Sequence, residues 1–263
     1  MKILILGRTS SLSREFSKYL KNKKIFHNTI SLNAFLKWDK KKIEKFESLI
    51  NFCVHKSYLH NTYNKKYDLD LKIIKKISKL KIKFVTLSSS KVYSPSANLL
   101  ENSRKKPDTN YGKNKLISEK NITKHVKDYL IFRLSNIITQ KNKKSKTSAT
   151  NTFFDIIRAN LKNKKIIFPE KKTYKDFIFI DDFCQLLLLS LKKKLKGTYN
   201  LSSGKKVYLK ELALILSRIT NFNISFIDSN TDSFILNNSK LIKKLEYKKK
   251  IKEVNFINLK KIL

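Results

Sequence analysis

The chain lacks the cysteine patterns of disulfide-rich secreted proteins and of zinc-binding proteins. Its 263 residues include only two cysteines, Cys53 and Cys184, and both stand inside apolar runs. We expect both thiols to be buried and to behave as small hydrophobic side chains. Two cysteines in such places exclude a disulfide framework and leave no zinc-binding spacing, as is usual for a cytosolic protein. We therefore expect no metal site and a cytoplasmic location.

Long hydrophobic runs are also missing. The longest, "LLLLSL" at 186–191, is far shorter than the roughly 20 apolar residues that cross a bilayer. The apolar start of the chain, "ILIL", is shorter than the core of a signal peptide, and no cleavage pattern follows it. These observations predict a soluble intracellular protein with no membrane partner.

Acidic residues are scarce: 20 Asp and Glu stand against 59 Lys and Arg, which gives a net charge of +39. Such a charge predicts salt-sensitive attraction to polyanions. The lysines are nevertheless spread from Lys2 to Lys261, while glycine occurs only four times and proline three times. Lys, Asn and Ile are the residues that AT-rich codons favour. Base composition is the explanation that we favour, and a selected nucleic-acid surface stays open.

What is present is a globular composition, with 41% hydrophobic and 11% aromatic residues, and a length for one large domain or slightly more. Strand-like segments alternate with amphipathic helices up to about residue 138. The strand-like segments are "KILILG", "HNTISLN", "SLINFCV", "KFVTLSSS" and "YLIFRLS". Close alternation means right-handed βαβ crossovers and a parallel sheet. The sequence predicts an α/β fold with a doubly wound parallel sheet.

The pattern loosens after Asn136. Residues 139–151 are polar and lysine-rich, as in a loop, and 152–163 have helical character. Short strands (165–170, 197–203), a strand with an apolar helix (176–194), and further helices (209–220, 238–245) follow. We expect a dinucleotide-binding domain formed by 1–139 and 176–202, and a small C-terminal α/β substrate lobe formed by 140–175 and 203–263.

The turn after the first strand is the place to look for a dinucleotide. It reads "GRTSSLS" from Gly7, and only this glycine of a G-x-x-G-x-x-G arrangement is kept; Ser10 and Ser13 take the other two places. Serine hydroxyls can donate to a phosphate at a helix N-terminus, but a Cβ now stands where close approach is needed. A phosphate-binding turn and a plain βα turn with a serine cap both stay open.

"NYGKNK" places Tyr111 four residues before Lys115. A phenol with a pKa near 10 is a poor acid/base near neutral pH, and a lysine one helical turn away favours the phenolate. Serines in "TLSSSKVY" follow the fourth strand, at the edge of the sheet where ligands bind. The pair is either catalytic or one of several chance Tyr–Lys pairs in a lysine-rich chain.

Five segments occur in the order and spacing of a known family: "FVTLSSSKVYS", "PDTNYGKNKLISE", "IFRLSNI", "YKDFIFIDDF" and "GTYNLSSG". From Lys2 to about Leu245 the chain resembles the extended short-chain dehydrogenase/reductases. Its nearest likeness is to the NAD-dependent epimerase/dehydratase family of nucleotide-sugar epimerases, dehydratases and 4-keto reductases. The resemblance implies a Rossmann fold and a catalytic Tyr–Lys pair.

The resemblance also implies individual roles. Tyr111 is the acid/base, Lys115 is its partner and holds the nicotinamide ribose, and Ser89 polarises the substrate. The cofactor contacts implied are Gly7, Arg8, Thr9, Ser10, Ser11, Leu12, Asn33, Asn51 and Lys115. The substrate contacts implied are Ser89, Ser90, Asn136 and Lys175; Lys175 replaces the arginine of an "RDF" motif and loses its fork of donors. The pair Asp181–Asp182 is expected to be structural.

The cofactor is NAD or NADP. Asn33 stands where an acidic residue usually holds the adenosine ribose, and Arg8 and Lys37 are near, which favours NADP. We expect an epimerase or 4-keto reductase that acts on a nucleotide-linked sugar for surface polysaccharide or lipopolysaccharide synthesis. Arg8-Thr9 resembles the opening of 4-dehydrorhamnose reductases.

A homodimer through 69–80 and 114–122 is possible. The alternative function is a catalytically weakened member of the same fold that acts as an RNA-binding or scaffold protein.

Overall fold

A computed structural model describes residues 1–139, 166–169, 173–222, 224–227 and 233–261. The predicted helix over 152–163 and almost all of the predicted loop over 139–151 lie outside the described residues. Among those that are described, no helix is both long and apolar enough to cross a membrane.

The strands are short, as the brief apolar runs predict. They are β1 (Ile3–Leu6), β2 (His27–Ile30), β3 (Ser48–Asn51), β4 (Lys83–Ser89), β5 (Ser96–Leu99), β6 (Tyr129–Leu134), β7 (Asn136–Ile138), β8 (Ile166–Pro169), β9 (Tyr174–Lys175), β10 (Phe177–Phe179), β11 (Gly197–Leu201), β12 (Val207–Tyr208), β13 (Ile224–Ile227) and β14 (Phe234–Leu236).

The described helices range from four to sixteen residues in length. They are α1 (Ser11–Asn22), α2 (Leu32–Lys37), α3 (Lys40–Ile43), α4 (Ser57–His60), α5 (Leu69–Ile77), α6 (Asn110–His125), α7 (Ile180–Lys192), α8 (Leu209–Thr220), α9 (Ser239–Leu245) and α10 (Phe256–Lys260), with a 3₁₀ helix at Ser90–Val92.

Six strands form one parallel sheet in the order β11-β6-β4-β3-β1-β2. The five predicted strands and the segment at 197–203 are all in it, so the predicted doubly wound fold is confirmed. The chain runs from β1 outwards to β2 and then crosses to β3 on the other side of β1. The strand order therefore reverses between β1 and β3, and ligands of such sheets bind beyond the carboxyl ends of the strands at this point.

Each face of the sheet is covered by helices. In β1, Ile3 and Ile5 pack into one apolar cluster with α1, α7 and α9, while Leu4 and Leu6 pack into another with α2, α5 and α6. All four side chains are fully buried, and burying one such side chain stabilises a fold by about 1.5–3 kcal/mol. A strand buried on both faces reads as a continuous apolar run, as "ILIL" does.

The remaining strands form four two-stranded ladders. β7 pairs with β10, β8 with β13, and β5 with β14, all parallel, and β9 pairs antiparallel with β12. A third apolar cluster joins β7 and β10 to α8 and α10. The residue bounds of the two predicted domains stay a prediction, since this cluster takes side chains from both.

Candidate active site

The turn after β1 needs the glycine that the sequence keeps. Gly7 has φ +115°, and a Cβ on it would lie 3.2 Å from Cβ of Phe52 and 3.3 Å from its carbonyl carbon. The Gly7 N–H donates to the Ile30 carbonyl, and the Ser10 N–H donates back to the Gly7 carbonyl at 2.8 Å. Both the left-handed backbone and the close packing exclude larger residues here.

The N-terminus of α1 faces the carboxyl edge of the sheet, and its first amides have no acceptor among the residues that the structure describes. The first amides of a helix have no intrahelical acceptor, and the side chain of the N-cap Ser10 does not accept from them. Ser11 and Leu12 begin the helix half-buried, and Arg8 and Thr9 are exposed in the turn. Free amides at the positive end of a helix suit a phosphate. This arrangement fits the diphosphate of a dinucleotide.

Ser13 differs from Ser10. It is fully buried, and its hydroxyl has no hydrogen-bond partner within the described parts of the chain. Ser13, at the third glycine place of the motif, therefore packs between helix and sheet. Only Ser10, at the second place, lies at the helix cap.

Two of the expected cofactor contacts lie at or after the ends of β2 and β3, the strands on either side of β1. Asn33 is exposed in the first turn of α2, whose N-cap is Ser31. Asn51 ends β3 and is buried; its Nδ2 donates to Asp70 Oδ1 at 2.7 Å, and its Oδ1 accepts from the Cys53 N–H at 2.8 Å. The amide of Asn51 thus shapes the wall of the crevice, and direct contact of either asparagine with a cofactor stays a prediction.

The three serines at the end of β4 and the start of the 3₁₀ helix differ in their contacts. Ser88 is buried and donates to Glu119 Oε1 at 2.5 Å. Ser89 is half-buried, and its Oγ accepts from the Lys91 N–H at 3.2 Å, which caps the 3₁₀ helix. Ser90 is also half-buried. Ser89 and Ser90 are therefore the two that present hydroxyls near the surface of the carboxyl edge.

The structure brings Tyr111 and Lys115 together in α6. Thr109 caps this helix by accepting from the Gly112 N–H at 3.1 Å. The Nζ of Lys115 lies 6.0 Å from the ring centroid of Tyr111 and donates to the Leu87 carbonyl in β4 at 2.8 Å. Lys115 is only 4% exposed, and water screens a buried charge less than an exposed one.

Lys115 borders a buried acidic patch. Asp68 and Asp70 begin α5, and both are buried. Burial, and then the charge of Asp70, raise the pKa of Asp68, while the charge of Lys115 lowers it. A cavity of about 10 Å³, enough for one water, lies between them and the stacked rings of His55 and Tyr67.

Cys53 also lines this cavity. It is half-buried rather than buried as the sequence suggested, because it stands just past the end of β3. Burial and the charge of Asp70 raise its pKa to about 12, so it is a protonated thiol at neutral pH. In the described ranges, no group of three or more His, Cys, Asp or Glu side chains is placed to hold a metal ion.

The expected substrate contacts lie at the start of the C-terminal ladders. Asn136 begins β7, and both its backbone N–H and its Nδ2 donate to the Asp176 carbonyl at 3.0 Å. Lys175 is half-buried in β9. Asp181 and Asp182 accept from Nζ and N of Lys252 at 2.7 and 2.9 Å, and their structural role stays a prediction.

A model of the NAD dependent epimerase/dehydratase family matches residues 40–202, more than half of the chain. The chain belongs to this family. The match covers β3 to β11 and so includes Ser89, Tyr111 and Lys115. Among curated proteins, none matches the chain.

Solved structures of nucleotide-sugar enzymes share the fold over nearly the whole chain. TunA, an NAD dependent NDP-hexosamine 5,6-dehydratase, superposes with a TM-score of 0.83 at 14% identity over 99% of this chain and 95% of that one. The ADP-L-glycero-D-manno-heptose-6-epimerase of Helicobacter pylori gives 0.79 at 17% identity, covering 99% and 94%. The UDP-glucuronic acid 4-epimerase of Bacillus cereus gives 0.74 at 17% identity, covering 100% and 97%. At such identities the likeness shows the fold.

In this member of the family, Gly112 allows Tyr111 and Lys115 to lie close to Ser89. The sequence patterns did not identify this glycine. A Cβ on Gly112 would lie 2.1 Å from the Lys91 carbonyl oxygen and 2.9 Å from Cβ of Pro107. The helix that carries Tyr111 can therefore lie directly against the segment that carries Ser89 and Ser90. The signal was available, because this is one of only four glycines in the chain and it stands inside a helix.

A buried ion pair beneath the serines was also missed. Arg133 of β6 donates from Nη2 to Glu119 Oε2 at 2.6 Å and from Nε to Oε1 at 3.0 Å, and its Nη1 donates to the Tyr93 hydroxyl at 2.7 Å. Burial raises the pKa of the Tyr93 hydroxyl to about 12, and the nearby charge of Arg133 limits this rise. The network joins β4, α6 and β6 below the site, and loss of one charge would leave the other buried and unpaired.

Proposed function

We propose that the chain is an NAD(P)-dependent enzyme that acts on a nucleotide-linked sugar, as an epimerase or a 4-keto reductase. The observation that carries this proposal is the pair of Tyr111 and buried Lys115, held by Gly112 against the Ser89 segment. Family membership supports it, as does the likeness to a UDP-glucuronic acid 4-epimerase solved in complex with UDP-glucuronic acid and NAD.

A nicotinamide dinucleotide, when bound, supplies hydride chemistry at a sugar carbon. The free amides of Ser11 and Leu12 would hold its diphosphate, and Lys115 its nicotinamide ribose. Tyr111 moves a proton to or from the sugar hydroxyl, and the ammonium of Lys115 lies 6.0 Å from its ring centroid. Ser89 donates a hydrogen bond to the same sugar oxygen and fixes its position.

NADP is the cofactor that we propose. The acidic residue that would hold an adenosine ribose is replaced by exposed Asn33. Lys37 of the same helix and Arg8 in the turn after β1 are also exposed. Cationic side chains near that ribose favour a 2′-phosphate. A cytoplasmic role in surface polysaccharide or lipopolysaccharide synthesis, and a homodimer through the helices at 69–80 and 114–122, belong to the same proposal.

The test uses a matched pair of tyrosines. Tyr19 and Lys23 of α1 have the same spacing as the candidate pair, and Lys23 Nζ lies 5.9 Å from the Tyr19 ring centroid, but they stand at the far end of α1. Tyr111→Phe should lower kcat on the best nucleotide sugar of a UDP-, dTDP- and ADP-linked panel by about 10²–10⁴-fold. Tyr19→Phe should leave kcat unchanged. Equal activity of both variants would contradict the assignment.

Net consumption of the cofactor distinguishes a reductase from an epimerase. A reductase consumes NADPH or NADH in proportion to product, whereas an epimerase forms product with no net change in cofactor absorbance. A dehydratase would also leave cofactor absorbance unchanged, and a product that has lost one water relative to the substrate would assign it instead of an epimerase.

A further inference from the structure

A second cavity, of about 850 Å³, lies at the opposite edge of the sheet. Its lining residues stand just before β1, β2, β3, β4, β6 and β11 or at the end of α7. These are the amino ends of the strands, whereas Ser89, Tyr111 and Lys115 belong to the carboxyl edge. We refer to it as the amino-edge cavity, and it is separate from the candidate active site.

The amino-edge cavity is lined by six lysines and two acidic residues, Glu47 and Asp128. Asp128 is already engaged: buried Lys83 contacts its carboxylate, and Lys196 Nζ lies 3.8 Å from Oδ1. The other four lysines are exposed and have no acidic partner among the residues with described positions. They are Lys24, Lys81, Lys192 and Lys194.

Two helices end at this cavity. Lys24 follows α1, and Lys192 and Lys194 end and follow α7. A helix C-terminus carries about half a negative charge, which would repel an anion. Four unpaired lysine charges exceed that repulsion, so the field in the cavity is positive.

An exposed aromatic ring stands among these lysines. Phe26 lines the cavity with 61% of its surface exposed, and its inner side lies against Phe46, with ring centroids 6.5 Å apart. A phenylalanine ring that is packed on one side and exposed on the other offers a flat face for stacking. Aromatic faces in a positively charged groove are the elements that bind single-stranded nucleic acid.

We propose that the amino-edge cavity binds single-stranded nucleic acid, with a base stacked on Phe26 and phosphates held by Lys24, Lys81, Lys192 and Lys194. The lysine charges alone would suit any polyanion. The exposed ring selects a polyanion that carries bases, and the cavity is larger than one base needs. This binding is independent of the proposed enzymatic activity, since the two sites lie at opposite edges of the sheet.

The test is fluorescence anisotropy with labelled oligouridylate and oligodeoxythymidylate of about 12 nucleotides, within the range that single-strand binding sites cover. Phe26→Ser should weaken binding about 5- to 150-fold, as expected for loss of one base stack, and Phe26→Tyr should keep it. Lys81→Gln with Lys192→Gln should reduce the slope of log K against log salt by about 1.4, for two lost phosphate contacts.

The control is Lys248→Gln with Lys249→Gln, which removes the same charge from two exposed lysines outside the cavity. It should leave both affinity and slope unchanged. Circular dichroism of each variant excludes unfolding as the cause of a loss. The proposal fails if the control pair weakens binding as much as the cavity pair, if Phe26→Ser binds like wild type, or if heparin, which has no bases, shows the same dependence on Phe26.

Discussion

Lysine and glutamate occupy backbone positions that usually belong to glycine. α1, α7 and α9 are followed by Lys24 (φ 54°), Lys194 (φ 53°) and Glu246 (φ 51°), all in the left-handed region. After α1, the Ile25 N–H then donates to the Leu20 carbonyl at 3.0 Å, as in a Schellman motif, whose left-handed residue is usually glycine. Because the chain has only four glycines, residues with a Cβ adopt these strained left-handed conformations.

Replacing one of these residues should therefore stabilise the protein. We expect Lys24→Gly to raise the free energy of unfolding by about 1 kcal/mol, because it removes left-handed strain. Lys23→Gly is the control, since Lys23 has φ −89°, and there glycine only adds freedom to the unfolded chain. Urea unfolding compares the two. Stabilisation by both variants, or by neither, would show that φ at residue 24 is not the cause.

The candidate catalytic pair shows how far residue-level reasoning reaches. Tyr111–Lys115 and Tyr19–Lys23 share a spacing of four residues and a cation–ring distance near 6 Å. Spacing and distance do not separate the pairs, but burial does, since Lys115 is buried and Lys23 is exposed. The pairs also face different edges of the sheet, and the sequence predicts that only through the order of strands and through the surrounding motifs.

At the scale of elements, the candidate site depends on how closely α6 approaches the 3₁₀ helix after β4. Gly112 sets that distance, because any side chain there would occupy the space of the Lys91 carbonyl oxygen. The contact is between backbones and leaves no apolar pattern. It is therefore visible in the sequence only as an unexplained glycine.

Gly112→Ala should consequently damage both stability and catalysis. A Cβ 2.1 Å from a carbonyl oxygen forces α6 away from Ser89, and we expect a loss of about 1–3 kcal/mol in the free energy of unfolding and about 10²-fold in kcat. The neighbouring exposed Lys113→Ala should change stability by less than about 0.5 kcal/mol. Unaltered kcat in Gly112→Ala would mean that the spacing of these two segments does not matter for the reaction.

Elements were predictable where their own residues determine them. The central strands are buried on both faces and appear as apolar runs, and α8 has the predicted bounds, Leu209–Thr220. The pair of β5 and β14 was not predicted, because β5 has three exposed residues out of four and exists through its partner 138 residues away, Phe234 opposite Ser96. Short ladders of this kind depend on tertiary contacts rather than on periodicity.

At the scale of the whole molecule, Asp176 ties the C-terminal ladders together. It is fully buried between β9 and β10, and it accepts from N and Oγ of Ser203 at 3.1 and 2.8 Å and from the Leu236 N–H at 3.2 Å. Burial raises its pKa to about 6, above the value near 3.9 of an unfolded chain. Between these values the folded state binds more protons than the unfolded state.

The sign of the pH dependence follows. The contribution of Asp176 to stability is fully present below about pH 3.9 and is lost as pH rises through 6. Relative to Asp176→Asn, which does not titrate, wild type should gain about 2 kcal/mol in the free energy of unfolding between pH 7 and pH 4.5. Urea unfolding of both proteins at the two pH values measures this gain. A difference between them that is constant with pH would place the pKa of Asp176 at its ordinary value.

The net charge of the whole molecule can attract any polyanion and so resemble specific cofactor binding. The proposed cofactor site therefore needs a binding measurement in which this charge is screened. We would titrate the protein with NADH and NADPH by calorimetry in about 0.3 M salt, where charges more than a few ångströms apart are largely screened. The matched variants are Gly7→Ala and Gly197→Ala, since both glycines have positive φ but only Gly7 has atoms against its missing Cβ.

We expect micromolar binding with NADPH tighter than NADH, kept by Gly197→Ala and weakened at least about 10-fold by Gly7→Ala. No binding, or equally weak binding of both cofactors and of tripolyphosphate, would contradict a dinucleotide site at the carboxyl edge of the sheet.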